Sequence, residues 1–329
     1  MVAVALRTRS TGRPVLVGRA GRPQNAVNST PGASALCRPA QSFLISHSTP
    51  MARLHADEIA RYHNEGWVVP QWRLPAEQVI AMQAALAELL RRNPGVRPEK
   101  LVSAHIDRAE GAVAGADSGL DNGEGVRGVA AFLDLARDPA IVDLVSDVLG
   151  DDLILWGAHV FCKPAGEGYA TPWHQDGHYW PIRPLATCTV WVALEPSTRA
   201  NGCLRVIPGS HRPPQLHPHL FEDRVDLTLQ QRLADGAFDE SQAVDIELQP
   251  GQMSLHDVYM IHGAAANTSA QRRTGVALRY LPASSHFDRS LQPVHGQSGV
   301  AVDFAQRPLW LLKGVDRSGR NDFKTGHRG

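Results

Sequence analysis

The chain has 329 residues, 43% of them hydrophobic, with 33 basic and 33 acidic side chains. That length suffices for one large domain or two small ones, and the balanced charge offers no footprint for nucleic acid or an anionic membrane surface. No apolar run approaches the roughly 20 residues needed to span a bilayer.

Residues 1–50 carry no Asp or Glu, and hold Arg7, Arg9, Arg13, Arg19, Arg22 and Arg38 among Ser, Thr, Gly and Pro. Such a segment reads either as a transit-type leader or as an upstream extension before a start at Met51. The lack of an amphipathic helix favours the second, and in both cases the composition predicts disorder. From Met51 the pattern is that of a folded domain running to residue 329. Leu54 to His63 has helical spacing, closed by Gly66. Trp67-Val68-Val69 predicts a short strand. A longer helix follows from about Pro75 to Arg92, with Val79, Met82, Leu86 and Leu89 on one face and Pro75 suited to its first turn.

Residues 95–128, rich in Gly, Asp and Ala, predict a long loop and a candidate lid. It contains His105-Ile106-Asp107, a rival metal pair or else a solvated, loop-capping one. Helical spacing returns from Ala130 to Leu149, with Asp138-Pro139 as a start signal. From Leu153 the period becomes two. Leu153, Leu155, Gly157, His159, Phe161 and Lys163 are expected on one face, with Ile154, Trp156, Ala158, Val160 and Cys162 on the other. In Thr187 to Leu194 one face is Cys188, Val190, Val192 and Leu194, wholly apolar, and the other is Thr187, Thr189, Trp191 and Ala193. Further strands are expected at Cys203–Ile207, Val244–Leu248, Met253–Leu255 and Arg273–Leu281, with an irregular or partly helical insertion at 213–242. Helices first, then many short strands, predict a mainly β fold: an antiparallel sandwich or jelly roll with N-terminal helices packed on one sheet. Cys37, Cys162, Cys188 and Cys203 form no Cys-x-x-Cys pair, and read as reduced packing residues of a cytoplasmic protein.

Trp173-His174-Gln175-Asp176-Gly177-His178-Tyr179-Trp180 carries the chemistry. In an extended segment His174 and Asp176 point the same way. An imidazole and a carboxylate supply two legs of the 2-His-1-carboxylate arrangement that suits non-haem Fe(II). His262 is the candidate third leg, because a jelly roll returns later strands beside earlier ones. Arg273 begins a strand 11 residues on (273 − 262). Its face continues through Gly275, Ala277 and Arg279, leaving an open cationic pocket suited to a small carboxylate. Metal and guanidinium together suggest a dicarboxylate co-substrate. Arg279 is open between structural and functional roles, and Asn201-Gly202 reads as turn chemistry.

Residues 153–281 resemble the phytanoyl-CoA dioxygenase family of Fe(II)- and 2-oxoglutarate-dependent oxygenases. The likeness rests on Trp173 to Pro181, on Asn201 to His211, and on His262-Gly263 through Asn267 to Arg273. Ala56 to Gly66 is also similar to the family's opening. The resemblance implies a double-stranded β-helix, with iron held by His174, Asp176 and His262 and the far carboxylate of 2-oxoglutarate held by Arg273. It places Trp191 against the co-substrate, on the inward face that the strand reading gives it, with His159 on the corresponding face of its own strand. Ala264 departs from the family's frequent Ser and leaves more of the binding to Arg273. The implied reaction takes O2 and 2-oxoglutarate, hydroxylates a small organic substrate, and releases succinate and CO2. Halogenating relatives replace the carboxylate that Asp176 supplies, so its presence argues for hydroxylation. Desaturation or cyclisation on the same iron, and a non-catalytic cupin-like binding module, are the alternatives. The sequence names neither the substrate nor an oligomeric state.

Overall fold

A computed structural model describes residues 53–108, 125–291 and 304–327 of the protein. The chain divides into two units, Met1–Ser48 and Thr49–Gly329, and the fold below is that of the second. The expected leader, the start at Met51 and the middle of the expected lid lie outside the described residues.

Four α-helices occur among the described residues: α1 (Ala56–Glu65), α2 (Ala76–Arg92), α3 (Ala130–Ala136) and α4 (Pro139–Leu149). Gly66 ends α1 as expected, and Pro75 stands one residue before α2 rather than in its first turn. The helical spacing of Ala130–Leu149 divides at Asp138, whose side chain accepts from the Ala140 N–H and caps α4.

The strands follow in order: β1 (Trp67–Val68), β2 (Leu101–Val102), β3 (Leu153–Lys163), β4 (Thr171–Gln175) and β5 (Ile182–Arg183). Next come β6 (Cys188–Ala193), β7 (Leu204–Val206), β8 (His219–Phe221), β9 (Gln231–Leu233) and β10 (Val244–Ile246). The last are β11 (Met253–Asp257), β12 (Ile261–Ala264), β13 (Arg273–Pro282), β14 (His286–Phe287) and β15 (Trp310–Lys313). A large antiparallel sheet has the order β1-β11-β6-β13-β3-β15, with β2 also on β3, and a smaller one has the order β10-β7-β12-β4. Together they form the double-stranded β-helix.

The large sheet buries both faces. Cys188, Val190, Val192, Leu194, Val276, Leu278 and Tyr280 pack outward against Leu86, Leu89, Phe132, Ile141 and Leu144 of the helices. This is the expected packing of helices on one sheet, driven by removing apolar area from water. The other face looks toward the small sheet. There one apolar cluster contains Trp191, Ala193, Val206 and Met260, and another contains Trp156, Trp180, Ile182 and Phe287. Among the described residues no helix is long and apolar enough to cross a membrane.

Three expectations need correction. Strict alternation along 153–163 fails, because Arg279 pairs with Gly157 while the adjacent Tyr280 pairs with Leu155. Trp156 is therefore an extra residue, a β-bulge that reverses which side chains face inward. Leu153 and Leu155 join Ala158, Val160 and Cys162 in the helix-side core, and Ile154 and Trp156 face the other way. The expected loop from 95 has structure at its start: a turn at Pro98–Lys100 leads into β2, which pairs with Val160 and His159 of β3. The insertion at 213–242 is largely irregular, as expected, but its main regular element is the β8–β9 hairpin, with one 3-10 turn at Glu240–Gln242.

Candidate metal centre

Two neighbouring strands of the small sheet carry the predicted imidazoles. His262 on β12 stands directly opposite His174 on β4, so their rings are 4.2 Å apart. Asp176 is not on the strand, which ends at Gln175; it opens a short 3-10 turn through His178. Convergence thus comes from a strand end folding back, not from alternation along one strand. His174 Nε2 is 3.6 Å from Asp176 Oδ1, and His262 Nε2 is 4.0 Å from Asp176 Oδ2. All three residues are buried, and one donor atom from each lies within 4.8 Å of the others.

The donor chemistry fits a divalent metal. His174 Nδ1 lies 2.9 Å from the Pro172 carbonyl, and His262 Nδ1 lies 2.9 Å from the Met260 carbonyl. Each ring thereby donates through Nδ1 to the residue two positions back and leaves the Nε2 lone pair free for a cation. Burial, helped by neighbouring His174, pushes the His262 pKa well below the ordinary imidazole value, so it is neutral as a ligand must be. Burial alone would raise Asp176, yet the adjoining His174, with His262 and Arg279 nearby, outweighs it and holds the carboxyl ionised.

The cavity beside this cluster lies between the sheets. The small sheet contributes His174 and His262, and the large sheet contributes Trp191, Arg273, Ala277 and Arg279. Arg273 is 3% exposed, donates from Nη2 to the Gly202 carbonyl at 2.8 Å, and has a buried Nε without a partner. Its guanidinium carbon lies 5.2 Å from the Trp191 ring. Among the described residues no carboxylate pairs with it. Burial lowers its pKa to about 10, so it stays charged at neutral pH.

Two glycines make this seat. A Cβ on Gly275 would stand 1.9 Å from Trp191 Cζ2, so only glycine lets the indole lie on the strand. Gly202, at φ +76°, approaches so closely that a Cβ would meet the Ala265 carbonyl oxygen at 2.3 Å. The Asn201-Gly202 turn is therefore also the carbonyl partner of Arg273. Lys163, buried beneath, donates to the carbonyls of Ala264 and Ala265. His159 lines the cavity, stacks on Phe161 with ring centroids 3.8 Å apart, and has Nε2 at 3.2 Å from the Glu99 carbonyl. Tyr179 and Trp180 also line it, whereas His178 stacks on His219 instead.

The rival pair does not assemble. His105 is buried, edge-on to Trp310, while Asp107 pairs with Arg92. Sequence reasoning passed over His256 on β11, whose ring centroid is 4.9 Å from that of His262, whose Nε2 lies 4.0 Å from Asp176 Oδ2, and whose two ring nitrogens make no hydrogen bond. Burial brings its pKa down to about 4. The signal was available, because Ser254 and His256 alternate with the apolar Met253 and Leu255 and so face inward.

A double-stranded β-helix with a buried His-x-Asp and distal His beside an unpaired arginine defines the class of non-haem iron oxygenases. Residues 62–275, well over half of the chain, match the model of the phytanoyl-CoA dioxygenase (PhyH) family, and the chain belongs to that family. Its members are Fe(II)- and 2-oxoglutarate-dependent oxygenases. The peroxisomal phytanoyl-CoA dioxygenase of Bos taurus is 31% identical over 157 residues, 45% of each chain. The L-proline trans-4-hydroxylase of Streptomyces griseoviridis is 28% identical over 241 residues, 68% of this chain and 85% of that one. Among solved structures, the non-heme monooxygenase ThoJ in its apo form aligns with a TM-score of 0.58 and 26% identity, over 79% of this chain and 85% of that chain. The chain spans about half the length of the curated relatives it matches first.

Proposed function

We propose that the protein is a hydroxylase that couples oxidation of a small organic substrate to decarboxylation of 2-oxoglutarate. The balance is one substrate, one 2-oxoglutarate and one O2 giving hydroxylated substrate, succinate and CO2. The observation that carries this reading is the pairing of the His174–Asp176–His262 cluster with Arg273, a buried cation lacking a counter-anion, in one cavity. Residues 51–329 form the oxygenase domain, with its core at about 153–281.

Bound iron would supply activation of O2 and oxidation of an unreactive C–H bond. His174, Asp176 and His262 would hold it on one face and leave the opposite face to ligands. Arg273 would fix the far carboxylate of 2-oxoglutarate through its free Nε, with Trp191 and Gly275 shaping the slot. Ala264 lines the cavity without a hydroxyl, so the co-substrate leans on Arg273. The segment 213–242 closes part of the wall through Thr228 and Leu229, and the Thr228 hydroxyl donates to Thr171 at 2.8 Å. Retention of Asp176 supports hydroxylation over halogenation, and the proline hydroxylase among the relatives supports the same outcome.

Product mass tests the reading. With Fe(II), 2-oxoglutarate and a panel of small organic substrates, succinate should appear together with a product one oxygen heavier. A product lighter by two hydrogens would replace hydroxylation with desaturation. Succinate absent under every condition would leave a binding module.

A further inference from the structure

We propose that Arg279 anchors a carboxylate on the organic substrate, so that the substrate is an acid with an apolar body. This rests on the oxygenase reading, and it assigns a residue which that reading does not use. Arg279 shares the cavity face of β13 with Arg273, six residues further on (279 − 273). At about 3.3 Å per residue that is roughly 20 Å of strand, so the two guanidinium groups serve different ends of the space.

The surroundings of Arg279 leave it without an anion. Its carbon lies 5.7 Å from the Trp156 ring and 5.1 Å from the Trp180 ring. Its buried Nε has no hydrogen-bond partner, and among the described residues no carboxylate pairs with it. Among the described acids Asp176 is the one whose field reaches it, and that charge is committed to the cation the cluster would hold. A buried guanidinium is costly to leave without a counter-charge. A ligand carboxylate accepting from the planar fork would remove that cost, and a guanidinium is made for such a two-oxygen acceptor.

The neighbouring walls agree. Among the described residues, Lys100, Arg273, Arg279 and Arg307 line the cavity against two acids, Glu99 and Asp176. Glu99 is already taken by Arg97 and by the Tyr169 N–H. Arg307 is buried and donates to the Ser103 hydroxyl at 2.6 Å. Phe304, Trp156 and Trp180 supply the apolar surface at the same end. That combination selects an aliphatic or aromatic acid over a polar or cationic molecule.

The test uses matched pairs of a carboxylic acid and its primary amide: hexanoate with hexanamide, and 3-phenylpropanoate with 3-phenylpropanamide. The protein is loaded with Zn(II), which supports no turnover, and saturated with 2-oxoglutarate to fill the Arg273 end. Uptake of 2-oxoglutarate in that step reads the oxygenase assignment separately; where it fails, the pairs are titrated into the unloaded protein. Calorimetry should show at least one acid binding tenfold or more tighter than its amide. That ratio should fall toward one in Arg279→Gln and recover in part in Arg279→Lys, which keeps the charge and loses the fork. Equal binding of acid and amide in every pair, or a ratio that survives Arg279→Gln, overturns the assignment even with 2-oxoglutarate bound. If Arg279→Gln does not fold, the comparison moves to Arg279→Met, which also removes the charge while keeping an apolar stem, and a ratio that survives there has the same force.

Discussion

At the scale of single residues, the centre depends on side chains held by local rules. His174 and His262 use the same device, an Nδ1–H bonded to the carbonyl two residues back, so both present Nε2 to one point. Asp176 supplies the negative charge that two neutral imidazoles lack. Asp176→Ala should therefore weaken metal binding by more than the about 10- to 100-fold that follows loss of an orienting partner. Calorimetric titration with Fe(II) under anaerobic conditions checks this, and full affinity in the variant would remove Asp176 from the ligand set. Arg273→Gln removes a charge-assisted fork, an interaction of about 1.5–3 kcal/mol, so the Kd for 2-oxoglutarate should rise by roughly tenfold to a hundredfold. The grouping of His174, Asp176 and His262 near Arg273 was legible in the sequence because each stands in a motif with fixed spacing. His256 and Lys163 were not singled out, since an isolated His or Lys on a strand resembles any other.

Elements carry the next level. Alternation located β6 and β13 and their faces correctly, since both run straight between helices and cavity. The same rule failed at β3, because a bulge at Trp156 adds one residue that no hydrophobic pattern announces. The bulge has a consequence for the site. It keeps Leu155 and Val160 in the helix-side core while bringing Trp156 and His159 to the cavity. The hairpin β8–β9 escaped prediction because its strands are three residues each, too short for a period to register. Gly275 ties β13 to β6 through the Trp191 indole. Gly275→Ala would force that ring away, and overpacking of this kind costs about 1–3 kcal/mol. Urea denaturation of the metal-free protein should show that loss, together with weaker 2-oxoglutarate binding. Unchanged stability would mean that the ring relaxes freely.

At the scale of the whole molecule, the large sheet is a scaffold pinned by helices, and the small sheet carries His174 and His262. The protein interior holds several imidazoles that burial keeps neutral: His105 and His159, both pushed well below the ordinary value, and His256, at about 4. In the unfolded chain these groups titrate near 6.5. The unfolded state therefore binds more protons as pH falls, so this contribution to stability is complete above about pH 6.5 and drains as pH drops toward 4 and below. Each such histidine adds a slope of about 1.4 kcal/mol per pH unit within its window. Thermal melts of metal-free protein from pH 7.5 to 4.5 should show falling Tm, and His105→Phe should lessen the slope by about one proton. A flat Tm across that range would contradict the buried neutral state. The order of helices before strands, and the two-sheet architecture, followed from periodicity alone. The two-residue strands β5 and β14 did not, because a pair of residues carries no period.

The central claim is that one cavity joins a metal held by two imidazoles and a carboxylate to a guanidinium that clamps a dicarboxylate. Anaerobic calorimetric titration of 2-oxoglutarate, with and without one equivalent of Fe(II), tests it most directly. The account predicts one site per chain, with affinity that rises at least tenfold when iron is present. Equal affinity with and without the metal, or no binding in either case, would contradict it.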